Sequence, residues 1–255
     1  MHPEAPTLDL ALPRRIILSD ARSPRRFAFA CRRVLDADWR AYFDAILISS
    51  SYEGSARVNT LDLDSPYLAL VDRVLQGAEG YEVPGFAGIE ALDNWQRRIP
   101  VGHRRALGRA LADVRPSAQQ DSFRIEPEGE VAYVDAAWSS ADGASIVKFE
   151  RLEHVLAAPT EKQHRRYAAE ASRSRVVGGS RSGQTIYHGA QQVLAALYDE
   201  LVVRVDPAYR VDGRPLATRE EIVREMDILH KVVAAQQVFA PEGELVPVGA
   251  EAGAE

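Results

Sequence analysis

EGSARVNTL at residues 53–61 and GGSRSGQTI at residues 178–186 align without a gap, placing Gly54 on Gly179, Ser55 on Ser180 and Thr60 on Thr185. Alone they are two polar loops; their surroundings make them a signature, because the order of elements around each is the same. Upstream of the first, RIILSDARSPRRFAFACRRVL (15–35) has an apolar run Ile16–Leu18, turn residues Ser23 and Pro24, then Phe27, Phe29 and Cys31 alternating on one face. That pattern predicts a β-hairpin. Upstream of the second, EVAYVDAAWSSADGASIVKFERLEHVL (130–156) predicts another, with Asp142-Gly143 as the turn and Val147 and Phe149 alternating beyond it.

A helix is expected between each hairpin and its loop. Asp36 or Asp38 caps one carrying Trp39, Tyr42, Phe43, Ile46 and Leu47, and Thr160 with Gln163 forms a capping box before Tyr167 and Ala171. A second pair of helices follows the loops. Ser65 and Pro66 open the first, with Leu68, Val71, Val74 and Leu75 as its stripe, and Val193, Leu194, Leu197, Leu201 and Val202 form the stripe of the other. Leu70-Val71-Asp72 falls on Leu197-Tyr198-Asp199, and the turns GYEVPG (80–85) and AYRVDG (208–213) come next. Each copy then ends in a helix, around Ala106, Leu107, Ala110 and Leu111 in one. In the other, a Thr218/Glu221 capping box precedes Ile222, Met226, Leu229 and Val233.

The expected fold class is therefore α+β, a tandem duplication of a unit made of a β-hairpin followed by about three helices. The units span 14–115 and 128–239 and are joined by a linker at 116–127. FAGIEALDNWQR (86–97) is read as about a dozen extra residues inserted in the first copy. Residues 1–13 and the acidic stretch 240–255 lack apolar periodicity and are read as disordered tails.

Composition narrows the function classes. Apolar residues make up 46% of the 255 and charged residues 27%, as in ordinary globular proteins, and the formal charge of −6 argues against a chain devoted to phosphate backbones. One cysteine, Cys31, excludes an internal disulfide and a zinc site built on cysteines. With no leader-like N-terminus and no apolar stretch of about 20 residues, the expected location is the cytoplasm or an assembled particle, without membrane insertion.

The motifs that could carry chemistry are incomplete. Gly178 to Thr185 has the spacing of a phosphate-binding P-loop, but Gln184 stands where the phosphate-contacting lysine belongs. Histidines 103, 154, 164, 188 and 230 form no ligand pair at metal-binding spacing, and no serine sits in a nucleophile elbow. Catalytic, cofactor and metal residues are accordingly read as none. Arg165, Arg166, Arg173, Arg175 and Arg181 are the densest basic stretch, with Tyr167 the only nearby aromatic and Glu161 and Glu170 interleaved. They are either a solvated face, or a contact for an acidic protein partner.

From IVKFERLEHVL (146–156) through LYDELVVRVDPAYRVDG (197–213) to ATREEIVREMDILHKVV (217–233), the second copy resembles tail-module proteins of tailed phages and prophages, notably tail assembly chaperones. The resemblance covers about 90 residues and lies in element order and texture. It implies non-enzymatic binding of other tail proteins and transfers no catalytic residue. The leading expectation is thus a binding or assembly protein, a phage-tail-like structural or tail-assembly component. The alternative is a nucleic-acid-associated or nucleotide-binding protein using the Arg/Gly-rich segment 165–185.

Overall fold

The computed structural model describes residues 6–19, 24–53, 56–62, 64–117, 125–139, 146–171, 174–177, 184–187 and 190–239. The expected turn at Asp142-Gly143 and the stretch 240–255 lie outside the described residues. The chain is mixed α/β, with eight helices and four small sheets among those residues.

The first half opens with β1 (Leu8–Asp9), then the hairpin β2 (Arg14–Ser19) and β3 (Arg26–Cys31), whose pairs Ile16↔Phe29 and Arg14↔Cys31 face the core. Helix α1 (Asp36–Asp44) leads to a second hairpin, β4 (Leu47–Glu53) and β5 (Ala56–Asp62). Helix α2 (Asp64–Val74) runs without a break into β6 (Leu75–Glu79), which pairs with β3. A short 3-10 turn at Ile89–Ala91, α3 (Trp95–Arg98), α4 (Val101–Leu111) and β7 (Val114–Pro116) complete it.

The second half starts with β8 (Ile125–Glu126), turning into the long hairpin β9 (Gly129–Ser139) and β10 (Ile146–Leu156). Next come α5 (Glu161–Ala171), a hairpin β11 (Ser174–Val177) and β12 (Gln184–Tyr187), and α6 (Ala190–Leu201) running directly into β13 (Val202–Val205). Strand β13 pairs with β10 as β6 pairs with β3. The short strands β14 (Tyr209–Val211) and β15 (Arg214–Pro215) precede α7 (Arg219–Glu225) and α8 (Ile228–Phe239).

The likeness of the two halves extends to single bonds. At the helix-to-strand junctions, Arg32 N donates to Val74 O at 3.0 Å and Ala157 N donates to Leu201 O at 2.8 Å. Just beyond each, one extra residue is accommodated by a bulge. Cys31↔Leu75 is followed by Ala30↔Gly77, and Leu156↔Val202 by Val155↔Arg204. A bulge lets a strand leave a helix without a loop and still join the ladder. Asp72 on α2 pairs with Arg104 on α4, and Asp199 on α6 pairs with Lys231 on α8 at 2.8 Å. Ile99 and Met226, both buried, end α3 and α7 with nearly identical extended backbone, φ −63° with ψ 131° and 132°.

Several expectations are corrected. The segment 86–97 holds the 3-10 turn and the start of α3 ahead of α4, as β15 and α7 stand ahead of α8. The segments 53–61 and 178–186 are not simple loops, since β5 covers 56–62 and β12 covers 184–187. The helix expected to run from Thr218 through Val233 breaks at Met226, where the backbone turns extended and Asp227 restarts it by accepting from Leu229 N at 2.8 Å. At its start, Asp62 rather than Ser65 caps α2, accepting from Asp64 N at 2.9 Å and from the Ser65 hydroxyl at 2.6 Å. The capping boxes Thr160/Gln163 and Thr218/Glu221 are present as read.

Residues 8–10 do not belong to a loose tail. Leu8 is wholly buried, Leu10 nearly so, and β1 pairs in parallel with β14. Burying two leucines outweighs ordering a short polar-flanked strand, because each contributes about 2 kcal/mol. Nor is 116–127 a free linker throughout. Ser117 N donates to Tyr133 O at 2.9 Å, and β7 joins the second half's sheet through Val114↔Ala136. One apolar core runs through both halves, with α8, buried on nearly all sides, packed on α6, β9 and β7.

Candidate functional site

The most deeply buried polar groups belong to the second half. His154 on β10, Tyr198 on α6, Tyr209 on β14 and His230 on α8 are wholly inaccessible. Tyr198 Oη lies 2.8 Å from His154 Nδ1, His154 Nε2 lies 2.9 Å from Tyr209 Oη, and Tyr209 Oη lies 2.7 Å from His230 Nδ1. Burial pushes His154 down to about 3 and His230 well below the ordinary imidazole value, while both phenols are pushed up. All four are therefore neutral, and each neutral imidazole offers one donor and one acceptor. Two directions make all three bonds, and the one that gives every hydroxyl proton an acceptor has Tyr198 O–H donating to His154 Nδ1, His154 Nε2–H to Tyr209, and Tyr209 O–H to His230 Nδ1. His230 Nε2 is left without a partner, edge-on to Trp138 at 6.3 Å between ring centroids.

The first half carries a reduced version. Tyr81 Oη lies 2.7 Å from His103 Nδ1, and Phe29 occupies the position that His154 holds on the equivalent strand, packing on Tyr81 at 6.3 Å. The Tyr–His bond is thus present in both halves, and the second histidine in one.

Between the halves a cleft of about 360 Å³ opens beside this network. Its walls include Arg14, Arg33, Trp138, Glu225 and Asp227, with Leu12 and Leu35 exposed at its lip. Arg14, on β2, is nearly inaccessible. It donates to Leu111 O at 2.9 Å and Ala137 O at 3.0 Å, and lies over the Trp138 ring at 4.2 Å. Burial lowers it to about 10, still charged at neutral pH. Burial likewise raises Asp227 to about 6, against the opposing pull of its bond from Leu229 N and of nearby Arg14. Arg33 spans the cleft, donating to Glu225 Oε2 and to Glu225 O, each at 3.0 Å. Three basic side chains (Arg14, Arg33, Arg224) meet three acidic ones (Asp36, Glu225, Asp227), so the cleft favours neither a phosphate nor a cation. Its groups tie one half to the other.

Of the five predicted arginines, Arg165 and Arg166 have described side chains. Arg165 pairs with Glu161 one turn away, and Arg166 crosses to Glu200 on α6, which also accepts from Gln163. Arg175 lies in β11, while Arg173 and Arg181 lie outside the described residues. Residues 178–183 also lie outside them, but the strands around that segment pair antiparallel as a hairpin, Val177↔Gln184, and no helix starts after Gly183 as a P-loop requires. Among the described residues no group of three or more His, Cys, Asp or Glu side chains could hold a metal, and no helix is long and apolar enough to cross a membrane.

Sequence reasoning missed Arg14, Trp138, Asp227 and the Tyr–His pairs. The signal was present for the last: once GYEVPG is set on AYRVDG, Tyr81 falls on Tyr209, and His103 and His230 then share one position in the final helices. Comparison of the chain with family models, with curated proteins and with solved structures returned no match.

Proposed function

We propose that the chain is a tandem duplication of one α+β unit and works by stoichiometric association, as a structural or assembly component of a phage-tail-like particle. The observation that carries the reading is the sheet order β11-β12-β4-β5, to which each half contributes one hairpin. The strands of this sheet have their principal contacts with one another rather than with the shared core. Such a sheet offers faces and edges to other chains, and a second copy of the unit doubles that offer without any chemistry. The duplication itself is supported by the recurring junction bonds, bulges, ion pairs and Tyr–His pairs.

The deeply buried polar groups are engaged in holding elements together, which supports association over catalysis. The engagement of Arg165 and Arg166 by Glu161 and Glu200 weighs against the alternative of a phosphate-binding patch over 165–185. The test is co-expression with the products of neighbouring genes followed by affinity capture. Capture of a tail component in defined ratio is expected. Binding of single-stranded DNA with a steep salt dependence, and capture of no protein, would replace this reading with the nucleic-acid one.

A further inference from the structure

The seam of the four-stranded sheet joins unlike edges. It forms between β12 and β4, with Gln184↔Ser49, Thr185↔Ile48 and Ile186↔Leu47. Within their halves β4 and β11 are the first strands of the second hairpin, and β5 and β12 the second strands. A symmetric contact would pair like with like; this one pairs the second strand of one half with the first strand of the other. Contacts of that kind consume one edge of each type and leave one of each type over. The edges left are β5, equivalent to β12, and β11, equivalent to β4. Among the described residues each has one partner strand only.

We propose that the chain assembles head to tail with copies of itself, β5 of one copy pairing antiparallel with β11 of the next, so that the seam inside each chain is repeated between chains. This names the partner of the sheet and rests on the reading of that sheet as an association surface. The internal seam supplies the geometry. Counted from the shared junction bonds and the hairpin pairs Ser49↔Thr60 and Ser174↔Tyr187, Ser174 stands where Ser49 stands and Arg57 where Gln184 stands, two residues away from the register that sets Thr60 on Thr185, so Arg57 of one copy faces Ser174 of the next. ARVNTLD (56–62) and SRVV (174–177) contain no proline or glycine and carry Val58, Thr60, Val176 and Val177, residues that favour pairing, beside the charges Arg57, Asp62 and Arg175. Repetition of an unlike-edge contact closes a ring if its rotation permits and otherwise grows a fibre.

The full chain is examined by sedimentation velocity over a concentration series, and as the double variant Arg57→Cys/Ser174→Cys under mild oxidation on non-reducing gels. Within one chain β5 and β11 are three strand spacings apart, about 14 Å, too far for a disulfide. The native Cys31 is buried, its thiol pushed up to about 12 by that burial, and stays silent. The expected result is a discrete oligomer or a growing polymer, a ladder of linked chains from the double variant, and nothing larger than a dimer from either single variant. A monomer at every concentration with no ladder overturns self-pairing. If that monomer still captures a tail component, the assembly reading stands without it.

Discussion

Tyr209 meets His230 at 2.7 Å through the same Nδ1 that Tyr81 uses on His103, yet Tyr209 also holds His154 while Tyr81 faces Phe29. The same position therefore carries two hydrogen bonds in one half and one in the other. Tyr209→Phe should strand two buried ring nitrogens and cost about 2–4 kcal/mol, whereas Tyr81→Phe, at a half-buried site, should cost about 1 kcal/mol or less. Urea unfolding of both variants reads the difference; equal losses would mean that the buried network adds nothing.

The histidines set a pH dependence. Their folded values lie below the unfolded value of about 6.5, so the folded chain binds fewer protons. Their contribution is fully present above that value and is lost as pH falls from it toward about 3. Asp227, raised to about 6 by burial, acts in the opposite sense, adding stability as pH falls through that value. Asp227→Asn keeps an α8 cap and removes this opposing contribution. The variant should therefore lose stability more steeply than the parent between pH 6 and 4. Parallel curves in urea titrations at stepped pH would contradict the assignment.

Asp38 gathers Arg32 at 2.6 Å, Arg73 at 2.8 Å and Leu35 N at 2.9 Å. Burial alone would raise its carboxyl, but the bonds from Arg32, Leu35 N and Arg73, with the charge of Arg32, hold it down at about 2. Asp38→Asn should cost about 2–4 kcal/mol at neutral pH, since it leaves two arginines facing an amide. Because the folded value is depressed, that difference is present above about pH 4 and shrinks as pH falls toward 2. Thermal melts of parent and variant at pH 7 and pH 2.5 decide it.

How much of this was legible before the structure divides by sequence separation. The hairpins at 14–31 and 129–156, the capping boxes and the Leu70–Asp72 match to Leu197–Asp199 are local patterns and were readable. The seam between β12 and β4 joins residues far apart, and strands as polar as LISSSYE carry little alternation to announce them. Strands β6 and β13 were hidden because Val74-Leu75 and Leu201-Val202 continue the apolar stripe of their helices; only the bulge marks the change. Arg14 reads as a surface residue, and backbone and ring contacts 97 or more residues away bury it. The break at Met226 carries no proline or glycine.

The halves also differ where α4 crosses α2. A β-carbon on Gly108 would lie 2.6 Å from Tyr67 Cβ and 2.7 Å from Tyr67 O, whereas the equivalent α8 position accommodates Ala235. Helix propensity favours Gly108→Ala by about 1 kcal/mol, but the overlap should reverse this and leave a net loss of about 1 kcal/mol or more. Chemical denaturation of the variant gives the sign directly, and a gain would show that the two helices part easily.

The central claim is that the sheet shared by the two halves is where the protein assembles, and backbone hydrogen exchange measures it at that place. The comparison is between dilute chain and chain in its assembled form. Amides of 56–62 and 174–177 should become protected on assembly, while those of β3 and α8, already in the core, should not change. Protection arising elsewhere, with both edges exchanging as in the dilute chain, would contradict the account.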